Sequence, residues 1–457
     1  MAFSIDGIAS GLDTTNMINQ LMQLEARPQT LLRAKASSTQ GFVTALQQLN
    51  TRLSSLTELA TKTAKPAALD LYKVASSSDA ATATATSSAG AGTLDFTVRQ
   101  LAQSQSSVTA AMTAFSAEAS TLTLRAKDGT TTELATTGTL DDVVAQVNKA
   151  DVGITATKVS TGTVGGVQQY RLQFTAQEPG AEHGFEVFRG TAADVAAGTA
   201  TDLFTETGAA TVRAAQDAEV VLWGGTAAEQ TVTSSSNTFT DILPGVSVTV
   251  AKTTTEPVSV TVSRDAEATS TKAKELVDAL RGVFSFVDAN TKVTPGATAS
   301  AAPTSGRFTG DSAVRGITQS MLTAATAPIN GRSTSELGIT LTRSGTVEFD
   351  AEKFAAALAK DPAVVKDALT QLSARVADAG KAASDKYDGE LTRRITSQES
   401  TVRSLNDQVS GWDTRLEKRR ATLERTYSAL EVQLSQLQSQ GDWLSSQLAG
   451  LPTGSGL

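Results

Sequence analysis

The sequence predicts an α+β multidomain fold: terminal helical coiled-coil legs and a helical bundle, with nested β-rich head domains inserted between them. Three observations carry this. Helical periodicity occupies both ends of the chain, a period of two occupies the middle, and one heptad row near the C-terminus is too long for an ordinary core face.

That row is Ile395, Val402, Val409, Leu416, Leu423, Leu430, Leu437 and Leu444, each seven residues after the last. At 40% hydrophobic composition, chance fills eight such places in any of seven registers roughly once in two hundred trials. The row therefore marks a coiled coil. A helix from Leu391 to Leu448 would run roughly 85 Å, so it must reach outward or pair along its length. A second seam changes sides along it. Leu405 and Trp412 lie three residues after their row positions, whereas Tyr427, Leu434 and Leu448 lie four after theirs, with the changeover at Lys418, Arg419 and Arg420. One helix passing between two packing environments has this pattern. Gly411 and Gly441 weaken it by about 1 kcal/mol each relative to Ala.

The N-terminus supplies a partner. Met17, Leu21, Leu24 and Leu31 follow a 4-3-7 heptad spacing, and Phe42, Leu46, Leu49, Leu53 and Leu56 follow 4-3-4-3. Asp13 is placed to cap the first helix, and Pro28, lacking an amide proton, predicts a kink or restart. The same stripes would also serve as core faces of a helical bundle; the length of the C-terminal row favours the coiled coil.

Helical character ends near Lys65-Pro66, and Ser, Ala, Thr and Gly dominate Ser76 to Gly92. Beyond lies alternation: Leu94, Phe96 and Val98, then Tyr170, Leu172 and Phe174. Asp128-Gly129 after Leu122 and Leu124 signals a hairpin turn, and Val246-Val248-Val250 with Val258-Val260-Val262 reads as two strands joined through Glu256-Pro257. One helix, Leu140 to Val147, interrupts the strands with Val143, Val144 and Val147 on a face behind Asp141-Asp142.

From Glu267 the helical period returns through Leu276, Val277, Leu280, Val283, Phe284 and Val287. Thr291 to Thr304 reads as a loop, and Asp311 to about Leu322 as a helix. Ile339 and Leu341, a turn at Arg343-Ser344-Gly345, and Val347 and Phe349 form a hairpin. Asp350 caps one helix; Asp361-Pro362 opens another whose stripe is Val365, Leu369, Leu372 and Val376. The expected domains are residues 1–42 with 405–457 as the coiled-coil leg, and 43–72 with 267–404 as a helical domain carrying the small hairpin. Residues 73–117 with 233–266 form an inner head, and 118–232 an outer head carried at the far end of the stalk.

Composition excludes several chemistries. With no cysteine and one histidine, thiolate metal sites, cysteine nucleophiles and a histidine-rich metal centre within one subunit are ruled out. Thirty-nine basic against 47 acidic residues, net −8, oppose nucleic acid as a partner. Met1 to Asp6 has no positive n-region or apolar h-region, and no run of about 18 apolar residues occurs, so neither a cleaved signal nor a membrane span is expected. His183, in Gly180-Ala-Glu-His-Gly184, lacks a visible nucleophile and orienting group and reads as a surface residue. Asp141 and Asp142 point about 100° apart on a helix and suit its positive end rather than an acid-base pair. Gly162, Gly165 and Gly166 are turn glycines without a nucleotide-loop spacing. Trp223 and Trp412 read as packing residues, and Lys418-Arg419-Arg420 as a solvated or inter-helix charged face. No catalytic, cofactor or metal residues are expected, and the chain is expected not to be an enzyme.

Several segments, in order, resemble the flagellar filament cap protein (hook-associated protein two) family. They are Phe3 to Asp13 (Phe-Ser-Ile-Asp-Gly-Ile-Ala-Ser-Gly-Leu-Asp) with Met17 to Met22, Val74 to Asp79, and Phe96 to Ala102. Further on are Ser235 to Asn237 with Ile242 to Val246, then Gly310 to Ser312, Leu337 to Ile339, Gly345 to Asp350 and Ala356 to Leu358. Residues 113–231 share only the family's β character. The resemblance implies a non-enzymatic assembly factor without cofactors. Its subunits form a homo-oligomeric ring of roughly four to six at the flagellar tip, with paired terminal helices as legs and β-rich heads as a plate. Flagellin arriving unfolded is retained beneath the plate, folds and inserts. Flagellin, a hook-filament junction protein and an export chaperone are the implied partners. Export by the flagellar type III apparatus would explain an extracellular protein without a cleaved signal, and flagellar tips sometimes add adhesion. Another axial protein, such as a junction protein or flagellin, shares helical termini; the hairpin and the Asp350 helix favour the cap. A stalked glycan hydrolase using carboxylates of the β region is the enzymatic alternative.

Overall fold

The computed structural model of the chain describes residues 11, 13–296, 298, 302–342 and 345–449, apart from the side chains of residues 241 and 449. Two compact units emerge, one helical (Met1–Lys65 with Ser270–Leu457) and one mainly β (Pro66–Thr269). The Phe3-to-Leu12 signature, except Gly11, and the turn residues Arg343 and Ser344 lie outside the described residues.

Helix α1 (Thr14–Glu25) starts at Asp13, whose carboxylate accepts from the Asn16 amide at 2.8 Å. Helix α2 (Arg27–Thr63) restarts at Ala26 with Pro28 in its first turn, where a missing amide proton costs least. The β unit then runs β1 (Tyr72–Ser76), β2 (Ala81–Ala85), β3 (Gly92–Gln100), β4 (Ser106–Val108), β5 (Ser120–Ala126), β6 (Thr131–Thr136), α3 (Leu140–Ala150), β7 (Ile154–Val164), β8 (Val167–Ala176) and β9 (Phe185–Arg189). It continues through α4 (Ala192–Ala197), β10 (Thr201–Asp202), β11 (Ala210–Arg213), β12 (Ala218–Leu222), β13 (Gln230–Ser234), β14 (Thr238–Leu243), β15 (Val246–Val250) and β16 (Val258–Arg264).

This unit holds two hydrophobic cores. In the first, a five-stranded antiparallel sheet β1-β16-β3-β12-β13 and a three-stranded sheet β14-β15-β2 enclose Phe96, Val98, Val220, Phe239, Val248 and Val260. The valines of β15 and β16 all point into this core, as their alternation requires, yet the two strands belong to different sheets and do not pair with each other. In the second core, sheets β10-β9-β5-β6 and β11-β4-β8-β7 and helix α3 enclose Leu122, Val143, Val147, Leu172, Phe174 and Leu203. Phe204 meets Phe174 and Phe185 edge-on at 6.0 and 5.9 Å. Thr139 caps α3 and Asp142 accepts from the Thr137 amide, which holds the Asp142 carboxyl below its ordinary range. The β7–β8 hairpin turns on Gly165 and Gly166, both at positive φ (60° and 83°), the pair of left-handed residues a two-residue turn of this hand needs.

Strand pairing moves the expected head boundaries. β12 pairs with β3 and β13 pairs with β12, so residues 218–232 belong to the first core rather than the outer head, while β4 pairs with β8 and carries residues 106–108 into the second. The chain passes between the cores at Gln103 and Gln216, which exchange both backbone hydrogen bonds (2.9 and 3.1 Å). Likewise β1 pairs with β16, so residue 72 lies with the β unit, whose limits fall at Lys65/Pro66 and Thr269/Ser270.

Helix α5 (Ala266–Thr291) buries Leu276, Val277, Leu280, Val283, Phe284 and Val287. The expected loop after it is pinched at its ends, where β17 (Val293–Thr294) pairs with β18 (Thr304–Ser305). Helix α6 (Ser312–Thr326) is capped by Asp311, and the hairpin β19 (Ile339–Leu341) with β20 (Val347–Phe349) is in register Ile339↔Phe349. Asp350 caps α7 (Ala351–Lys360) and Asp361 caps α8 (Pro362–Ser384). Val365, Leu369, Leu372 and Val376 are buried, as are Leu46, Leu49, Leu53 and Leu56 of α2, with α2 packed on both α8 and α9 (Glu390–Ala449). Gly380 permits the close approach of α8 to α2: a Cβ there would stand 2.2 Å from Thr57 Oγ1.

Candidate assembly surface

Helix α9 is long because nothing in its sequence stops it, and what it packs against changes along its length. At the base, Asp311 accepts from the Ala313 and Val314 amides at 3.0 Å and forms an ion pair with Arg394, whose guanidinium lies 5.8 Å from the Phe42 ring. Gln47 donates to Glu399 at 3.0 Å. Arg33 pairs with Asp413 at 3.0 Å, Glu25 with Arg419 at 3.4 Å, and Arg420 donates to Asn19 Oδ1 at 2.7 Å. Residue numbers fall on one side as they rise on the other, so α1 and α2 run antiparallel to α9. Arg419 and Arg420, singled out as a charged run, bridge to α1.

The expected row residues divide into three groups. Val402 is buried, together with Leu405 of the second seam; Ile395, Val409, Leu416 and Leu423 are half-buried, as are Trp412, Tyr427 and Leu434. Leu430, Leu437 and Leu444 are 47, 63 and 56% exposed. The N-terminal row, three residues on α1 and Leu31 on α2, is not the buried one. Met17, Leu21, Leu24 and Leu31 are 39, 41, 62 and 72% exposed, while Thr14, Ile18, Met22 and Gln29 are buried instead. Two rows one residue, or about 100°, apart compete for the inward position. Polar partners decide it: Gln29 donates to Asp413, and Asn19 and Glu25 meet Arg420 and Arg419. Rotating the helix by one residue would bury the more regular row and break these pairs. Heptad counting missed Ile18 and Met22 on α1 and Gln29 at the start of α2; the signal that finds them is polar complementarity to residues almost 400 positions away.

Chemical sites are sparse. Among the described residues no group of three or more His, Cys, Asp or Glu side chains is placed to hold a metal ion, and no helix is long and apolar enough to cross a membrane. His183 is exposed, 3.5 Å from the Glu182 carboxylate. Trp223 is half exposed on the β12–β13 connection rather than packed in a core.

Sequence profiles described as flagellar hook-associated protein 2 N-terminus and C-terminus match residues 10–105 and 215–439. The chain belongs to the flagellar hook-associated protein 2 family, the filament cap proteins. It is 27% identical to an A-type flagellar hook-associated protein 2 of Pseudomonas aeruginosa over 98% of both chains. It is also 29% identical to the B-type protein of that species, of which it spans about half, 48% of each chain being aligned. The fold matches that of the flagellar cap protein FliD D1-D2-D3 domains from Escherichia coli, with a TM-score of 0.61 and 21% identity, covering 78% of this chain and 99% of that one. Members of this family are structural cap proteins that assemble as oligomers on the flagellum. The unmatched residues 106–214 coincide with the second β core, so the family's sequence signature stops and resumes where Gln103 and Gln216 meet.

Proposed function

We propose that this chain is the subunit of an oligomeric cap at the distal end of the flagellar filament, where it retains exported flagellin and promotes its folding and insertion. The observation that carries the reading is the leg: paired terminal helices whose outer rows stay apolar and exposed, in a chain of the cap family. A lone enzyme has no use for such a surface, whereas a subunit that docks on other helices does. The partners are further copies of this chain, flagellin, the hook-filament junction protein and an export chaperone, and the route outward is the flagellar type III apparatus. Cells lacking the chain are expected to release flagellin into the medium and to swim poorly, with both defects reversed by the intact chain. Full-length filaments and normal swimming in the deletion strain would overturn the reading.

The two β cores support the proposed domain roles. The first core is the inner head and the second, between Gln103 and Gln216, is an outer head with its own interior. Because entry and exit strands are already hydrogen-bonded, removing residues 104–215 and closing the gap with a short Gly-Ser linker is expected to leave the rest folded and able to oligomerise. A soluble, folded product that sediments only as monomer would move the subunit interface into the outer head.

A further inference from the structure

The chain crosses between the two β cores twice, outward at Gln103 and back at Gln216. Just beyond that pair, Ser104 on one linker and Ala214 and Ala215 on the other lie in no strand. All three are small, and beside them opens a cavity of about 490 Å³ lined by Gln105, Arg125, Ala181, Gly184, Ala214 and Ala215. A domain carried on two short linkers moves unless something else holds it, and the dihedral change of a hinge falls on a few loop positions of this kind. Ser104, Ala214 and Ala215 are therefore where the neck can bend, and the cavity is the room it has.

One loop opposes that motion. Residues 177–184, between β8 and β9 of the second core, reach back past the neck to the first. The Ala181 amide donates to Asp217 Oδ1 at 2.7 Å, and the Gly180 amide to the Gln103 carbonyl at 3.3 Å. Gly180 also lies against Ser235, which belongs to neither linker: at its φ of 109° a Cβ would stand 2.7 Å from the Ser235 Cβ and carbonyl oxygen. Two linkers side by side define an axis, and a third contact outside both restrains rotation about it. The far end of the loop is anchored to its own head, because the Gln105 side chain accepts from the Phe185 amide at 3.0 Å and donates to the Phe185 carbonyl at 2.7 Å.

We propose that the neck is a hinge and that Gly180 and Ala181 are its latch. Closed on Asp217 and Ser235, the latch holds the outer head at one angle; opened, it lets the Ala214–Ala215 linker fold into the cavity and the head turn, with both cores intact. Opening gives up two hydrogen bonds, one of them to a carboxylate, and one tight contact, a scale at which the open form holds roughly 0.1–10% of the molecules. The device stands whether or not the chain caps a filament.

The absence of cysteine allows a direct test. Nitroxide labels at the exposed positions Thr82→Cys on the inner head and Lys149→Cys on the outer head, in full-length chain diluted into excess unlabelled chain, report the distance between the heads of one copy by pulsed electron resonance. One narrow population is expected. Asp217→Ala, and separately Gly180→Ala, should broaden it about twofold or more, while Asp217→Asn, which keeps an acceptor for the Ala181 amide, should leave it narrow. Circular dichroism should stay unchanged, since neither residue lies in a core. The Ala181 amide should exchange slowly in the intact chain and in Asp217→Asn, and fast in Asp217→Ala. Ala215→Leu added to Asp217→Ala fills the cavity and should narrow the distribution again. A broad distribution in the intact chain, or a narrow one in either latch variant, overturns the proposal; a filled cavity that leaves the distribution broad overturns the path assigned to the linker.

Discussion

Near the base of α9, Val402 and Leu405 are buried in a helical unit whose α2 packs on α9, whereas near its end Leu430, Leu437 and Leu444, on the same seven-residue row, face outward. The spacing is identical; the surroundings are not. At the base the row meets a wide α2 face and a fixed knot, Asp311 with Arg394 and Phe42. Toward the tip it passes the charged contacts of Arg419 and Arg420 with α1 and keeps its apolar residues uncovered. One periodicity thus serves intramolecular packing in one half and stays uncovered within the chain in the other.

The difference predicts unequal responses to substitution. Leu49→Ala, in the fully buried face of α2, should cost about 2–5 kcal/mol in urea unfolding of the helical unit, while Leu437→Ala should stay within about 0.5 kcal/mol for the monomer. Equal losses at the two positions would erase the distinction. Asp311→Ala removes the carboxylate that accepts from two backbone amides and strands Arg394, and should cost about 2–4 kcal/mol by the same measurement. Gly380→Ala presses a Cβ into Thr57 and should cost about 1–3 kcal/mol, a loss that pairing with Thr57→Ala should partly relieve. Gly441→Ala, where nothing stands within 4 Å of the new Cβ, should instead raise helicity and gain about 1 kcal/mol locally, read by circular dichroism. Smallest is the pH response of the β unit. The Thr191 hydroxyl and amide hold Asp194 below its ordinary value of 3.8, and the Thr137 amide does the same for Asp142. With depressed folded values, their contribution is full above about pH 4 and is lost as pH falls through the folded values, so the turns they hold should show flat amide spectra from pH 5 to 8 and change only under acid.

Local chemistry was legible in the sequence. Asp13, Asp350 and Asp361 read as caps because a short acceptor before a helical period has one job, and Ile339 to Phe349 read as a hairpin because its period and turn lie within eleven residues. Partners distant in sequence were not. Alternation tells which face of β12 is apolar but not that Val220 pairs with Val98, so the head boundaries shifted. Heptad spacing tells that α1 has an apolar row but not its rotation, which Glu25–Arg419 and Asn19–Arg420 set from across the chain.

Hydrogen exchange of α9 at two protein concentrations tests the account at its centre. Residues 391–409 should be equally protected when the chain is dilute and monomeric and when it is assembled, because the packing that buries Leu391, Val402 and Leu405 lies within one chain. Residues 428–448 should exchange rapidly in the monomer and gain protection only on assembly. A tip as protected in the monomer as the base, or one that exchanges fast in the full oligomer, would contradict the division of one row between folding and assembly.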